Sequence, residues 1–245
     1  MSKGRHSTDS TRTRVLCAGD EIDRHWHTEH QIVFPSSGVA EVRTDAGAWI
    51  APGDCAVWIP GGWPHEHHFY GHTRFHHVGL AAAPGPDWTT PRVITATPLV
   101  RELIIACADT TDLAVQEHDR LQQVLLDQLR RAPEEPLLLP AGRDPRLRRA
   151  CELVEQDLAV SWTLAELGPK VGAAERTLTR LFRDEFAMTY PQWRTRLRLH
   201  HAVRLLAEDN AVTAVAHACG WSSASAFIDV YRRALGHTPG TYRRM

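Results

Sequence analysis

Two histidines one residue apart, His25-Trp26-His27, and a third that closes the run Pro60-Gly61-Gly62-Trp63-Pro64-His65, are the residues best placed to do chemistry in the first half of this chain. Side chains alternate between the two faces of a strand, so His25 and His27 point the same way. Joined by His65 from a neighbouring strand, they make a three-nitrogen metal site. The same rings, neutral and hydrogen-bonded, equally line a pocket for an organic ligand, and both readings stay open. His67, His68, His72, His76 and His77 are expected at the surface or at strand edges, with His67 a lesser candidate because it shares the face of His65.

In the second half the chemistry is carried by arginine. Glu175–Glu185 has apolar anchors at Leu178, Leu181 and Phe182, which leaves Arg176, Thr177, Thr179, Arg180 and Arg183 facing outward. Guanidinium groups on one helix face suit bidentate contacts to guanine edges and to phosphate. A short apolar helix and a glycine turn at Gly172 precede this segment. The same order recurs at Gly220, ahead of a helix over Ser223–Leu235 with Ser222 as N-cap. There Ser223, Ala224 and Ser225 stand near the exposed helix start, where a groove-inserted helix meets base edges. Arg194, Arg198, Arg232, Arg233 and Arg243, with Arg183, are placed for phosphates.

The elements that must position these groups follow from local signals. Between Val15 and Leu80 short β-type runs alternate with Gly, Pro and Asp, which favours an all-β sandwich or barrel. The runs are Arg14–Cys17, His30–Phe34, Gly38–Thr44, Ala48–Ile50, Ala56–Ile59, His65–Tyr70 and Arg74–Leu80, with Phe34, Trp49 and Trp58 as core. Thr97-Pro98 opens a helix. A second begins near Leu113, with Val115, Leu121, Val124, Leu125 and Leu129 as an apolar stripe for burial. Leu137–Leu139 adds a strand, and 140–145 is a linker. Asp144-Pro145 starts a supporting helix. Thr163 and Glu166 form a capping box. Pro191–Glu208 is a spacer helix with Trp193, Leu197, His201 and Leu205 inward. Its length is roughly 27 Å at 1.5 Å per residue, against roughly 34 Å between successive half-sites on DNA. Gly168-Pro169 inside the first short helix, and Ala174 where a capping hydroxyl would help, predict a softer first head or a helix that starts after Gly168.

Net charge is −1 over 245 residues, but unevenly spread: from Gly142 onward 16 Lys and Arg face 11 Asp and Glu, and before it 12 face 18. The basic half has the footprint that counters phosphate. Five scattered cysteines with no CxxC pattern point to a reduced, cytoplasmic protein rather than a disulfide framework. No apolar run reaches transmembrane length and no membrane partner is expected.

The motifs R-T-L-T-R-L-F at Arg176–Phe182, R-L-R-L-H-H-A entering the spacer, V-A-H-A-C-G-W before Ser222 and S-A-F…Y-R-R-A-L-G-H-T-P…Y-R at the end resemble the DNA-binding domain of AraC/XylS-type transcriptional regulators. His25-Trp26-His27, Gln31, Gly38, Gly53-Asp54 and Pro60…His65 resemble the two signatures of the cupin barrel, with Gln31 where that family carries an acidic metal ligand. The resemblance implies an α+β chain: a cupin-like β-barrel with following helices, then an all-α domain with two helix–turn–helix motifs joined by a long helix. It places an effector-binding and dimerisation domain at 14–140 (barrel 14–96, helices 97–132) and a DNA-binding domain at 143–245. It implies a non-enzymatic regulator that binds double-stranded promoter DNA and senses a small molecule or metal through His25, His27, Gln31 and His65. A divalent metal on His25, His27 and His65 is the cofactor it admits. The implied partners are a second copy of the chain, through the helix at 114–131, and RNA polymerase if the protein activates. The alternative is a cupin-type metal-dependent enzyme fused to a DNA-binding tail.

Overall fold

A computed structural model describes residues 5–6, 11–80, 86–109, 113–134 and 137–242. The chain divides into two compact units, the first running to Leu138 and the second from Leu139, with the short segment Ala46–Ala48 grouped with the latter.

The first unit is built on antiparallel strands β2 (Arg12–Leu16), β3 (Glu21–Trp26), β4 (His30–Thr44), β5 (Gly47–Ala51), β6 (Cys55–Ile59), β7 (His65–Leu80) and β8 (Arg92–Thr95), after a two-residue β1 (Arg5–His6). β7 is central: it pairs with β2, β3 and β4, while β6 joins β4 to β8. Two pairs of expected strands are single strands. His30–Phe34 merges with Gly38–Thr44 as β4, and His65–Tyr70 with Arg74–Leu80 as β7. The turn signals between them are absorbed as register shifts at Pro35–Val39, with Gly38 at φ +70°, so the chain bends without leaving the sheet. β8 was not expected, and the strand expected through His25 and His27 is shifted: β3 covers Glu21–Trp26, so His27 lies just past its end.

The sheet has two unlike faces. Ile32, Phe34, Ala56, Trp58, Val78 and Leu80 form one core with α1 (Pro98–Ala108) and α2 (Val115–Leu129). The opposite register carries Gln31, Val33, Val57, Ile59 and His77. Thr97 accepts a hydrogen bond from the Val100 amide and so caps α1 as expected. The stripe on α2 is corrected: Leu125, Leu126 and Leu129 are buried, whereas Val115 is 77% and Val124 44% exposed. The helix uses one apolar strip against its own unit, where Gln122 also donates to the Gly79 carbonyl. A further strand, β9, covers Leu138–Pro140.

The second unit comprises α3 (Pro145–Gln156), α4 (Leu164–Val171), α5 (Glu175–Phe186), α6 (Tyr190–Ala207), α7 (Val212–Ala218), α8 (Ala224–Leu235) and α9 (Pro239–Tyr242). The caps are largely local sequence made visible. Asp144 caps α3, and Thr163 with Glu166 and Thr189 with Gln192 form capping boxes on α4 and α6. The N-cap of α8 is Ser223, one residue later than expected. α4 begins at Leu164, not after Gly168, and runs through Pro169. The carbonyl that Pro169 leaves without its helical donor belongs to Ala165, which is exposed and open to water. Gly168 is small because a Cβ there would meet the Ala173 carbonyl of the turn. α6 buries Tyr190, Trp193, Leu197, Leu199, His200, Ala202, Val203 and Leu206, so the expected inward stripe is corrected: Trp193 and Leu197 hold, while His201 and Leu205 are only half-buried. It packs against α5, α7 and α9.

The two heads carry complementary flaws. α4 is capped and α5 is not; α7 is uncapped at Ala211 and α8 is capped. Ala174 has the extended backbone of an N-cap (φ −71°, ψ 153°) with no side chain to accept. Ala174→Ser is therefore expected to stabilise the protein by about 0.5–1 kcal/mol, read as a raised midpoint of urea unfolding. An unchanged or lowered midpoint would mean that the α5 amides are satisfied some other way.

Candidate sensor and nucleic-acid sites

His25 on β3 lies directly across from His65 on β7, with ring centroids 4.4 Å apart. His27, just past the end of β3, sits 5.0 Å from His65 and 5.9 Å from His25. All three are buried, and one ligand atom from each lies within 4.8 Å of the others. Each ring is held from behind by a backbone oxygen. Nδ1 of His25 is 2.9 Å from the Asp23 carbonyl, that of His27 2.8 Å from Glu29, and that of His65 2.8 Å from Trp63. A carbonyl only accepts, so each Nδ1 carries a proton, and in the neutral ring Nε2 is left with its lone pair. Nε2 of His27 and of His65 is buried without a hydrogen-bond partner. Rings fixed through Nδ1, with Nε2 left to coordinate, are what a transition-metal site requires, and the three residues, grouped within ligand reach of one another, fit a divalent ion. Burial, then the neighbouring His25, lowers the pKa of His65 to about 3, so its ring is neutral at physiological pH.

The further histidines need correction. His67 is 1% exposed, its ring 5.0 Å from His65 and 5.6 Å from His25. Burial, then His65, holds its pKa well below the usual value. Its Nδ1 is buried without a partner. His76 and His77 are also buried. His76 is clamped between Thr13 at 2.8 Å and Ser36 at 2.9 Å, and His77 stacks on Phe75. The alternation that marked His67 was the right signal; β7 is longer and more enclosed than its composition suggests. His68 lies between Glu21 and Glu66, each at 3.0 Å, and His72 is exposed. Gln31 is 2% exposed with Oε1 lacking a partner.

In the second unit Leu178, Leu181, Phe182 and Phe186 bury one face of α5. Arg176, Arg180 and Arg183 are exposed on the other, with Thr177 and Thr179 half-buried. Arg180 is only loosely tied, 4.0 Å from Asp184. α8 repeats the plan with Phe227, Tyr231 and Leu235 inward and Ser225, Arg232 and Arg233 exposed. Ser223 accepts from the Ala226 amide, and Ala224 is half-buried. Arg194 and Arg198 are half-buried. Arg194 donates to the Val160 carbonyl at 2.7 Å, while Arg198 lies over Trp221 and reaches the Leu158 carbonyl. Each thus spends part of its five donors on the loop after α3. A groove of about 670 Å³ beside α5, with Trp162, Tyr190, Arg183 and Arg194 among its walls, was not foreseen. Arg243 lies outside the described residues.

Residues 167–245 match the family model of a helix-turn-helix domain. The HTH-type transcriptional regulator NimR of Escherichia coli (strain K12) is 32% identical over 243 residues, covering 97% of this chain and 89% of that protein. An AraC-like transcription regulator of Streptomyces lividans is 36% identical over 126 residues, covering 51% of this chain and 41% of that protein. Among solved structures, the DNA-binding domain of AdpA, determined with a target DNA, is 31% identical. The match covers 41% of this chain and 91% of that one, with a TM-score of 0.38.

Proposed function

The chain belongs to the AraC-type family of helix-turn-helix transcriptional regulators, and from that premise we propose that α5 is its principal base-reading helix and that the β-barrel unit is its effector domain. The protein is a DNA-binding regulator of transcription, and its full-length relative is a named regulator, so the enzyme reading is set aside. The observation that carries the assignment within this unit is the outward face of α5, where Arg176, Arg180 and Arg183 stand exposed above four buried apolar anchors. Thr177 and Thr179 flank them. α8 offers Ser223, Ala224 and Ser225 at its start, small groups suited to docking and shape readout, with Arg232 and Arg233 toward phosphate.

α6, of 18 residues, spans roughly 27 Å and carries a head at each end, which suits two successive major grooves on one side of the duplex. His25, His27 and His65 are assigned to a divalent metal, and this barrel unit transmits effector binding to the DNA. Val115 and Val124, left exposed on α2, are assigned to pairing with the same helix of a second copy. Contact with RNA polymerase is reserved for the case that the protein activates.

Arg180→Ala is expected to weaken binding to a cognate promoter by about 1–3 kcal/mol while leaving non-cognate binding nearly unchanged. Arg232→Ala is expected to weaken both alike and to reduce the salt slope by about one unit. Fluorescence anisotropy at several salt concentrations separates the two. Wild-type behaviour in both variants would overturn the placement of α5 and α8 on DNA.

A further inference from the structure

We propose that the barrel interior takes a small anion, bound directly to a divalent transition-metal ion on His25, His27 and His65, and that Gln31 is the residue that leaves the ion's charge available to that anion. This rests on the reading of the three histidines as a metal site, and it adds the chemical class of the effector.

The first step is a charge count. All three donors are neutral imidazole nitrogens, and the donor group contains no carboxylate. Such a set favours late first-row ions over magnesium or calcium. It also leaves the full dipositive charge inside a buried site, where uncompensated charge is strongly disfavoured. Acidic side chains do occur nearby, but the described ones are turned to other work. Asp23 and Glu29 meet the histidines through their backbone oxygens. The Asp23 side chain is exposed, and the Glu29 carboxylate takes the Thr28 hydroxyl. Glu41 is fully buried, yet it stands opposite His68 in the register, on the other face from His67, and is held by Tyr70 at 2.6 Å and Arg43 at 3.1 Å.

The second step is the neutral amide. Gln31 stands opposite Gly79 in the β4–β7 register, two positions from the Val33–His77 pair, on the face away from the helix-covered core. A glutamate of nearly the same shape at position 31 would have supplied the missing charge from within. An amide supplies none. The third step is vacant hydrogen-bonding capacity: His67 Nδ1 is buried without a partner, and buried polar groups are otherwise nearly always paired. Three protein ligands leave at least one position of a four-coordinate ion for an outside ligand. An anion there compensates the metal's charge and takes a hydrogen bond from His67, whose ring lies 5.0 Å from His65.

The test uses the full-length protein loaded with cobalt(II), whose visible spectrum reports its ligands, with metal content measured by mass spectrometry. Azide and acetate are the probes. Wild type is expected to bind one ion per chain, lost in His25→Ala and His65→Ala, and to change its spectrum saturably with each anion. Gln31→Glu is expected to hold the ion at least as tightly and to bind azide at least tenfold more weakly. Gln31→Ala should keep both ion and anion, with melting curves confirming that each variant is folded. A loaded wild type whose spectrum ignores both anions overturns the anion proposal and leaves the metal site standing, as does a Gln31→Glu protein that binds azide like wild type. A chain that takes up no ion overturns both.

Discussion

Trp193→Ala is expected to destabilise the helical unit by about 3–5 kcal/mol and to remove most specific DNA binding near 37 °C. The indole is 2% exposed. Its ring centroid lies 5.4 Å from Phe182, 6.4 Å from Phe186 and 6.2 Å from Tyr190. Phe182 and Phe186 are anchors of α5, so the residue that fills the core of α6 also sets how α5 is carried on it. Tyr190 in turn holds the loop before α4 through its hydroxyl, 2.8 Å from the Trp162 carbonyl. Deleting the indole opens a cavity among three rings that cannot all close on it, and total stability of a domain is only about 5–15 kcal/mol. The indole N–H has no partner among the described residues. Trp193→Phe therefore keeps most of the packing and loses no hydrogen bond, and should cost less than about 1.5 kcal/mol. Urea unfolding of both variants, with anisotropy on a cognate promoter, checks the pair. A loss under about 1 kcal/mol in Trp193→Ala would show that the ring cluster does not fix α5.

The legible parts of this fold are those set by neighbours in sequence. Thr97-Pro98, Asp144-Pro145 and Thr163 with Glu166 announce helix starts because a cap is decided within four residues. α6 shows the limit. Its expected stripe ran through Trp193, Leu197, His201 and Leu205, yet His201 and Leu205 are only half-buried, and Leu199, His200, Ala202, Val203 and Leu206 are buried instead. A helix packed against several others has no single apolar face, and periodicity alone cannot say how many neighbours it will have. β4 and β7 read as broken for a similar reason. Pro35, Gly38 and Gly71 are turn formers, but long-range pairing overrides them and converts the breaks into bends. The start of β3 at Glu21, in a charged run, is readable only from its partner.

At the histidine cluster the residue types were visible, and their preparation was not. His25, His27 and His65 could be picked out by spacing, but the Asp23, Glu29 and Trp63 carbonyls that fix their tautomers are backbone atoms of residues whose side chains do something else. His67 was discounted because a histidine-rich stretch usually lies in water. Here it faces a closed interior together with Phe69 and Phe75. On the DNA side, the arginines of α5 could be found by subtracting the apolar anchors, whereas Arg194 and Arg198 look equally available in sequence and are partly spent on the carbonyls of Val160 and Leu158.

Gly220→Ala is expected to cost about 2–5 kcal/mol, while Gly172→Ala costs only about 1–2 kcal/mol, although both end the first helix of a head. Both glycines are left-handed, with φ +75° and +67°, so each substitution carries the strain of a Cβ in that region. They differ in what the Cβ would meet. At Gly172 nothing lies within 4 Å. At Gly220 it would run into the backbone carbonyl of Leu158 and come 2.9 Å from Arg198 Nη2. Neither neighbour is free to yield, because that carbonyl already takes Arg194 and Arg198, each at 3.4 Å, and Arg198 lies over Trp221. Moving the Leu158 loop therefore disturbs the end of α3 and the seat of Trp221, directly ahead of α8. The functional consequence is polarised. Footprinting of a cognate promoter should show Gly220→Ala losing protection at the half-site facing α8 while the half-site facing α5 is kept, with Gly172→Ala near wild type at both. Equal costs for the two substitutions in urea unfolding would mean that the Leu158 loop gives way freely and that the second head is not braced by it.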